Sequence, residues 1–318
     1  MARVLAVATA AFIAAGAALP AASAAPRVDH VLVALGTAGD QPYTTREVEQ
    51  VAQRAQAFIR RSSFGRETVD FSITPWIRAF PTTPGCGGWS EQSLDALVAP
   101  LRQAAASAGY ATGAYSRTMY TIAGEHCGFF GITWGTQVLL TSEPTPYLMV
   151  HELGHTFGLA HAAASSCPVT CGVNTPGDRY SPMGVGLVDF SVYEKSVLGW
   201  VGPQLHARAT GLYTIASAAS MTSRPQALVV GTRFGQWWFE YRTRPRPGVL
   251  ARFIALDDLE NAAPPFAPSA RLILDPVHRG RPWVARHETY SADGTFTLRV
   301  MRTRRSSAVL RLAWTGRR

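Results

Sequence analysis

The chain has 318 residues, of which 47% are hydrophobic and 16% are charged. This composition excludes an intrinsically disordered protein, and the length suffices for one large domain or two ordinary ones. The formal charge is +9 at pH 7, but the arginines that carry it are scattered along the chain, and we expect no nucleic-acid partner. Because Lys195 is the one lysine, a compositional bias toward arginine explains the basic balance, with attraction to acidic surfaces as the alternative.

Residues 1–24 predict a secretory signal peptide. Arg3 precedes an apolar run from Val4 to Leu19, and Ala22-Ser23-Ala24 fits an A-x-A cleavage site. A membrane anchor is the alternative, but this run is too short and too rich in alanine to span a bilayer. We therefore expect a secreted protein, extracellular or periplasmic, that is cleaved near Ala24 and has no membrane anchor.

Residues 25–201 alternate between strand and helix patterns, which predicts an α+β domain with a small mixed sheet. The apolar run over residues 28–35 is typical of a buried strand. A helix follows, because Thr44 and Glu47 form a capping box before residues with helical spacing. Residues 67–77 alternate between polar and apolar and indicate a second strand.

The next elements of this domain lead up to a third helix. Ser90 begins a second helix, which ends near Ala108 because Gly109 follows it. Three short strand patterns come next: "SRTMYTIA", "FFGITW" and "TQVLLT". Thr145 is then a good N-cap, and Pro146 suits the first helical position.

Residues 202–318 have a different pattern, which predicts a C-terminal β-sandwich-like domain. Seven short β-rich runs are separated by Gly, Pro, Asp and Ser. In one of these runs Trp237 and Trp238 must point to opposite faces, so we expect at most one of them to enter a core. Packing of the other against the first domain is favoured over a sugar or protein contact. Glu240 and Arg242 share a strand face and are expected to form a surface ion pair.

Four cysteines are present: Cys86, Cys127, Cys167 and Cys171. An even number in an exported chain predicts two disulfides, for which three pairings exist, and free thiols are the alternative. A cysteine-based zinc site is disfavoured because the sequence has no CxxC pair.

The sequence "HELGHTFGLAH" indicates a catalytic metal site. His151 and His155 are four residues apart, so a helix places both on one face, with Glu152 beside the first. Gly158 permits a sharp turn that brings His161 back as a third ligand. Three neutral imidazoles leave a fourth position open, which is the arrangement of a catalytic zinc site and not of a structural one. The five fixed positions would arise by chance with a probability on the order of one in a hundred thousand.

These residues resemble the signature of the metzincin zinc peptidases, in which a methionine-containing turn follows the long histidine motif. Met183, in "RYSPMGVG", follows His161 by 22 residues. Within the metzincins the chain is most similar to the gametolysin-like peptidases, on the strength of three further stretches: "CGFFGITWG", "DFSVYEKSVLGW" and "WWFEYR".

The resemblance implies a metzincin-like catalytic domain with one Zn²⁺, in which Glu152 is the general base and Met183 is an apolar floor below the metal. It also implies that the substrate pairs with an edge strand, for which "FFGITW" is the candidate, and that residues 178–186 wall the S1′ pocket. The helix "SVYEKSVLGW", with a capping box of Ser191 and Glu194, would support the turn from behind.

Two features depart from the family pattern. Several metzincins place a zinc-binding tyrosine two residues after the methionine, where this chain has Val185. Tyr180 could instead contact an oxyanion or line the S1′ pocket, and a purely structural tyrosine is the alternative. Because the first strand begins soon after the predicted cleavage site, we expect no N-terminal inhibitory segment.

The sequence therefore predicts a secreted zinc endopeptidase that acts as a monomer on protein or peptide substrates. Two alternatives remain open. One is a zinc hydrolase of cell-wall peptides, and the other is a non-catalytic adhesion or binding protein that retains the zinc fold. Glu152 argues against the second alternative, because a structural zinc site has no use for that carboxylate.

Overall fold

The computed structural model describes residues 26–85, 88, 90–124, 127–166, 172–260, 265–274, 283–284, 287, 289–292 and 294–315. The predicted signal peptide, residues 1–24, lies outside this range, so secretion remains a prediction. No helix in the described part of the chain is long and apolar enough to cross a membrane.

Five strands form a mixed sheet in the order β2-β1-β3-β5-β4. The elements of this part are β1 (Arg27–Thr37), α1 (Thr45–Ser62), β2 (Glu67–Arg78), α2 (Glu91–Ser107), β3 (Arg117–Ile122), β4 (Gly131–Trp134), β5 (Gln137–Leu140) and α3 (Pro146–Thr156). β1, β2, β3 and β5 are parallel, whereas β4 is antiparallel to β5. Among the described residues β4 pairs on one side only, which confirms the predicted edge strand.

Helices cover both faces of this sheet. α1 and α3 pack on one face and α2 packs on the other, each around its own apolar cluster. The side chains from Val31 to Leu35 are fully buried for this reason, since a parallel strand between two helical layers has no solvent-exposed face. The predicted capping box of Thr44 and Glu47 is confirmed, and Ser90 and Thr145 cap α2 and α3 as expected.

The remaining elements contain most of the β structure. They are β6 (Ala163–Ser165), β7 (Val173–Asn174), α4 (Val192–Val197), β8 (Leu205–His206), β9 (Gly211–Ala216), β10 (Ala227–Thr232), β11 (Gly235–Arg242), β12 (Gly248–Ala255), α5 (Leu256–Glu260), β13 (Arg271–Ile273), β14 (Trp283–Val284), β15 (Thr289–Ala292), β16 (Phe296–Arg304) and β17 (Ser307–Trp314).

These strands form two further sheets within the described residues. One has the order β7-β6-β13-β12-β11-β10-β8, with β14 paired to β12, and the other has the order β15-β16-β17-β9. Side chains of both sheets meet in one apolar cluster. Trp237 belongs to it, with its ring centroid 4.9 Å from that of Phe253 and 5.4 Å from that of Tyr290. The fold is thus a mixture of helices and several sheets.

The larger sheet draws strands from both sides of the predicted domain limit at residues 201 and 202. β6 begins two residues after His161 and pairs in parallel with β13. The limit itself remains a prediction, but the histidine motif is joined directly to the C-terminal strands.

The two predictions for β11 have different outcomes. Trp237 and Trp238 point to opposite faces, and both are buried. Trp238 packs against α4, which lies within residues 25–201, with its ring centroid 5.2 Å from that of Tyr193, and this agrees with the favoured prediction. Glu240 and Arg242 form the expected ion pair at 2.7 Å, but their side chains are only 3% and 4% exposed. They share the face of Trp238, so the segment that precedes α4 covers them as well.

Of the four cysteines, Cys127 lies among the described residues and is disulfide-bonded. Cys86, Cys167 and Cys171 lie outside the described residues, so the pairing remains a prediction.

Candidate metal centre

α3 carries the first two histidines and the glutamate of the motif. It begins at Pro146 and ends at the cap residue Phe157, after which Gly158 takes a φ of +93°. Residues that carry a side chain rarely adopt this left-handed backbone conformation, which favours glycine at this position. The turn is closed by the Leu159 N–H, which donates to the Gly154 carbonyl at 3.0 Å. It returns the chain so that His161 lies beside α3.

The three histidines converge on one point. Their ligand atoms all lie within 4.8 Å of one another, and they form a group that could hold a metal ion. The Nε2 atoms of His151 and His155 are 3.2 Å apart. Two nitrogens that bind one tetrahedral zinc at the usual bond length are separated by roughly 3.3 Å. The observed spacing therefore fits a zinc ion between them.

Backbone carbonyls fix the orientation of two of these rings. Nδ1 of His151 donates to the Pro182 carbonyl at 2.7 Å, and Nδ1 of His155 donates to the Leu159 carbonyl at 2.8 Å. With Nδ1 protonated, each neutral ring presents the lone pair of Nε2 to its neighbour. Two lone pairs that face each other without a proton between them repel, and a cation would remove this repulsion.

Burial keeps the three rings neutral. It lowers the pKa of His151 to about 4 and that of His155 to about 3, and it also lowers the pKa of His161. Neighbouring histidines lower the first two further, whereas the carbonyl hydrogen bonds oppose the shift. Because metal binding requires an unprotonated ring nitrogen, the set is ready to bind a cation at neutral pH.

The Glu152 carboxylate is held beside the histidines by the edge strand. Thr133 Oγ1 donates to Glu152 Oε2 at 2.7 Å and to the Glu152 carbonyl at 3.2 Å. A Cβ atom at Gly131 would lie 2.5 Å from Glu152 Oε1, so this close approach of β4 depends on glycine. Burial raises the pKa of Glu152 to about 7, although the Thr133 hydrogen bond lowers it.

Met183 lies directly below α3. It is fully buried, and a Cβ atom at Gly154 would collide with its sulfur, so the methionine packs against the bare helix backbone. The Ala162 N–H donates to the Met183 carbonyl at 2.7 Å, which ties the turn to the strand after His161. The structure therefore places the predicted Met-turn next to the histidines.

α4 supports this turn from behind, as expected from its capping box. Ser181 Oγ accepts a hydrogen bond from the Met183 N–H at 3.0 Å and donates to Glu194 Oε1 at 2.6 Å. Glu194 also accepts from the Ser191 N–H at 2.6 Å, which completes the predicted capping box. Because Glu194 is buried, its pKa is raised.

A buried ionic network joins the turn to the C-terminal sheet. Arg252 of β12 pairs with Asp178 at 2.8 Å and with Glu240 at 2.5 Å, and Arg242 also pairs with Glu240. Glu240 Oε2 accepts a hydrogen bond from the Val192 N–H at the start of α4, at 2.6 Å. Sequence reasoning predicted the pair of Glu240 with Arg242 but missed Arg252 and Asp178. The one available signal was the presence of charged residues within strongly apolar strand patterns.

Tyr180 and Tyr147 occupy different places relative to the histidines. Tyr180 packs against the small cluster of Ala164, Leu250 and Leu272, which fits a structural tyrosine. Its role at an oxyanion or in the S1′ pocket remains a prediction. Tyr147, which sequence reasoning missed, lies with its hydroxyl 3.4 Å from Nδ1 of His151 and donates to the Gly184 carbonyl. Its position one helical turn before His151 could have identified it.

Comparison with known proteins gives no family assignment. No family model and no curated protein sequence matches the chain. Among solved structures, metalloproteinase-II from Bacteroides fragilis is similar with a TM-score of 0.36 and 14% identity, over 56% of this chain and 54% of that chain. A chaperone–substrate complex is similar with a TM-score of 0.33 and 13% identity, over 55% of this chain and 33% of that chain. The chain thus spans about half the length of the first structure and a third of the second.

The histidines and Glu152 open into one cleft of about 350 Å³. Its lining consists of Gly131, Ile132, Thr133, His151, Glu152, His155, Ala160, His161 and Phe266. A buried carboxylate, three neutral imidazoles and part of an edge strand therefore line one solvent-accessible space.

Proposed function

We propose that this protein is a secreted zinc endopeptidase of the metzincin type, most similar to the gametolysin-like peptidases. One observation supports the proposal above the others: the Glu152 carboxylate and three imidazoles that could hold a metal ion line the same cleft. The carboxylate is bound to Thr133 of the edge strand, where it is placed to act as a base. A protein that used the ion only for structure or adhesion would gain nothing from burying a carboxylate there.

Zinc in this site would polarise a carbonyl group and make a water molecule acidic enough to react near neutral pH. Glu152 accepts the proton of the attacking water and then delivers it to the leaving amine. Thr133 holds the carboxylate in the orientation that both transfers require.

β4 is the proposed docking site for the peptide backbone. It pairs with β5 on one side, and its other edge is unpaired among the described residues. An extended peptide can add to such an edge through main-chain hydrogen bonds. This places a peptide bond beside Glu152, since Gly131 and Thr133 of the same strand contact that carboxylate.

The finer assignments follow from the resemblance. His151, His155 and His161 would bind the zinc, Met183 would form the floor below it, and residues 178–186 would wall the S1′ pocket. We also interpret the two C-terminal sheets as a sandwich-like domain, and residues 1–24 as a signal peptide. N-terminal sequencing of the secreted protein tests the last point, with Ala25 expected as the first residue.

The activity is tested by incubating the protein with a broad peptide library and with a set of cell-wall peptides. Each incubation uses the untreated protein, the protein after treatment with a chelator, and the protein after zinc has been restored. We expect library peptides to be cleaved, cleavage to stop on chelation, and zinc to restore it. Cleavage confined to the cell-wall peptides would replace the proposal with the alternative hydrolase. No cleavage by the zinc-loaded protein would overturn it.

The third ligand is tested separately by measuring zinc affinity in competition with a chelator. We expect His161→Ala to weaken zinc binding by at least tenfold, because one of three protein ligands is lost. His206→Ala is the matched control, since His206 lies in β8 and does not line the cleft. Equal affinity of His161→Ala and wild type would remove His161 from the ligand set.

A further inference from the structure

A segment of the C-terminal half crosses over the turn that carries His161. This segment, residues 265–270, lies between α5 and β13 and is called the strap below. The Ala267 N–H donates to the Gly158 carbonyl at 2.8 Å, and the Ala163 N–H donates to the Ala270 carbonyl at 3.1 Å. Between these two bonds, Ser269 Oγ donates to the His161 carbonyl at 2.7 Å. Three hydrogen bonds thus fix the strap to the loop between α3 and β6.

The close approach of the strap depends on Gly158. A Cβ atom at this position would lie 3.0 Å from the Pro265 carbonyl oxygen, which is closer than most Cβ atoms approach an oxygen. The outer side of the strap is held by the Tyr193 hydroxyl, which donates to the Pro268 carbonyl at 2.9 Å. Contacts on two sides therefore fix the position of the residue between Pro265 and Ala267.

That residue, Phe266, faces the cleft. Its ring lies edge-on to His155 with centroids 5.9 Å apart, and it lines the same space as Glu152 and the three histidines. It is 37% exposed, so a large apolar surface remains open to a bound molecule. The cleft lining also includes Ile132 on β4 and Ala160 on the turn, which makes its walls apolar around a polar floor.

We propose that Phe266 is a specificity-determining residue, and that the strap selects peptides with a large apolar side chain next to the scissile bond. This inference rests on the proposed function. An apolar side chain that enters the cleft is removed from water against Phe266, Ile132 and Ala160, whereas a charged side chain would lose its hydration against the same apolar walls. Among the described residues that line the cleft, the titratable side chains are Glu152 and the three histidines, and the proposed mechanism already uses all four.

The test uses matched peptides that differ at one position beside the cleaved bond, with leucine, alanine or lysine there. We expect Phe266→Ala to lower kcat/KM for the leucine peptide by about tenfold and to change the alanine and lysine peptides by less than about twofold. Phe266→Leu should retain most of the preference, because it keeps an apolar wall. Leu212→Ala is the control, since Leu212 is also exposed but lies on β9, outside the cleft.

Peptide binding gives a second readout that does not need turnover. On a Glu152→Gln background, we expect the leucine peptide to bind more tightly than the lysine peptide, and Phe266→Ala to remove this difference while zinc affinity stays unchanged. An equal effect of Phe266→Ala on all three peptides, in turnover or in binding, would overturn the inference. An inactive wild type that still binds the leucine peptide selectively would overturn the proposed function and leave the role of Phe266 supported.

Discussion

Glycine at position 131 allows the Glu152 carboxylate to lie against the edge strand. A Cβ atom there would be 2.5 Å from Oε1 and 2.8 Å from the carboxyl carbon. The neighbouring Thr133 hydroxyl holds the other oxygen at 2.7 Å. One small residue and one hydroxyl on the same strand therefore set the position of the proposed base.

Gly131→Ala should displace this carboxylate and slow the reaction without removing the metal. We expect kcat to fall by about a hundredfold, because a misplacement of a reacting group by about 1 Å can slow catalysis by this factor. The zinc affinity should change little. Steady-state kinetics and chelator competition measure the two effects. Gly113→Ala is the control, because a Cβ atom at Gly113 has no neighbour within 4 Å. A kcat equal to that of the wild type would contradict this account of Gly131.

At the scale of elements, the short helix α4 and the Met-turn form one hydrogen-bonded unit. Ser181 Oγ links the Met183 N–H to the buried Glu194 carboxylate. The serine thus satisfies one polar group on each element, and both elements are shielded from water. Buried polar groups that lose their partner are costly, so this serine should be important for stability.

Ser181→Ala should lower the free energy of unfolding by about 1–3 kcal/mol, because the Met183 N–H loses its acceptor and Glu194 loses a donor. Chemical denaturation with and without zinc measures the change. Ser107→Ala, at an exposed position near the end of α2, should differ little from the wild type. If the two variants were equally stable, the bond from Ser181 to Glu194 would not support the turn.

These elements could be predicted because their signals are local. The capping boxes of Thr44 with Glu47 and of Ser191 with Glu194 each span four residues, and the histidine spacing lies within one helix and one turn. The burial of Glu240 and its pairing with Arg252 could not be predicted in this way. Arg252 and Asp178 are 74 residues apart in sequence, and nothing near Glu240 in the sequence indicates that α4 will cover it.

At the scale of the whole molecule, the metal centre and the C-terminal sheets are built together. β6 continues from His161 into the larger sheet, and Arg252 of that sheet pairs with Asp178 just before the Met-turn. All the charged groups of this network are nearly fully buried. The removal of one partner would therefore leave a buried charge without compensation.

Arg252→Met should destabilise the protein by about 3–5 kcal/mol, because Asp178 and Glu240 would both lose their main cation. Thermal unfolding compared with the wild type measures the loss. Arg311→Met, at an exposed position on β17, is the matched control and should have little effect. If Arg252→Met were as stable as the control, the network would not hold the C-terminal sheet to the turn.

The same network predicts a pH dependence of stability. Burial alone raises the pKa of Glu240, but Arg242 and Arg252 outweigh it and lower the pKa to about 2, against 4.5 for an unperturbed glutamate. As the pH falls, Glu240 therefore takes up a proton in the unfolded state before it does so in the folded state. Its contribution to the free energy of unfolding is present above pH 4.5 and disappears as the pH falls toward 2.

Denaturation curves of wild type and Glu240→Gln across this range test the prediction. The stability advantage of the wild type over Glu240→Gln should be largest near neutral pH and should shrink between pH 4.5 and pH 2. An advantage that stays constant or grows as the pH falls would show that the carboxylate is not stabilised by the two arginines.

The most direct test of the proposed activity is the cleavage rate of Glu152→Gln relative to the wild type at equal zinc content. We predict that both proteins hold one zinc ion per chain and that the variant cleaves peptides at least a thousandfold more slowly, because the proton acceptor is lost. Equal cleavage rates in the two zinc-loaded proteins would contradict the assignment of Glu152 and, with it, the mechanism proposed for this site.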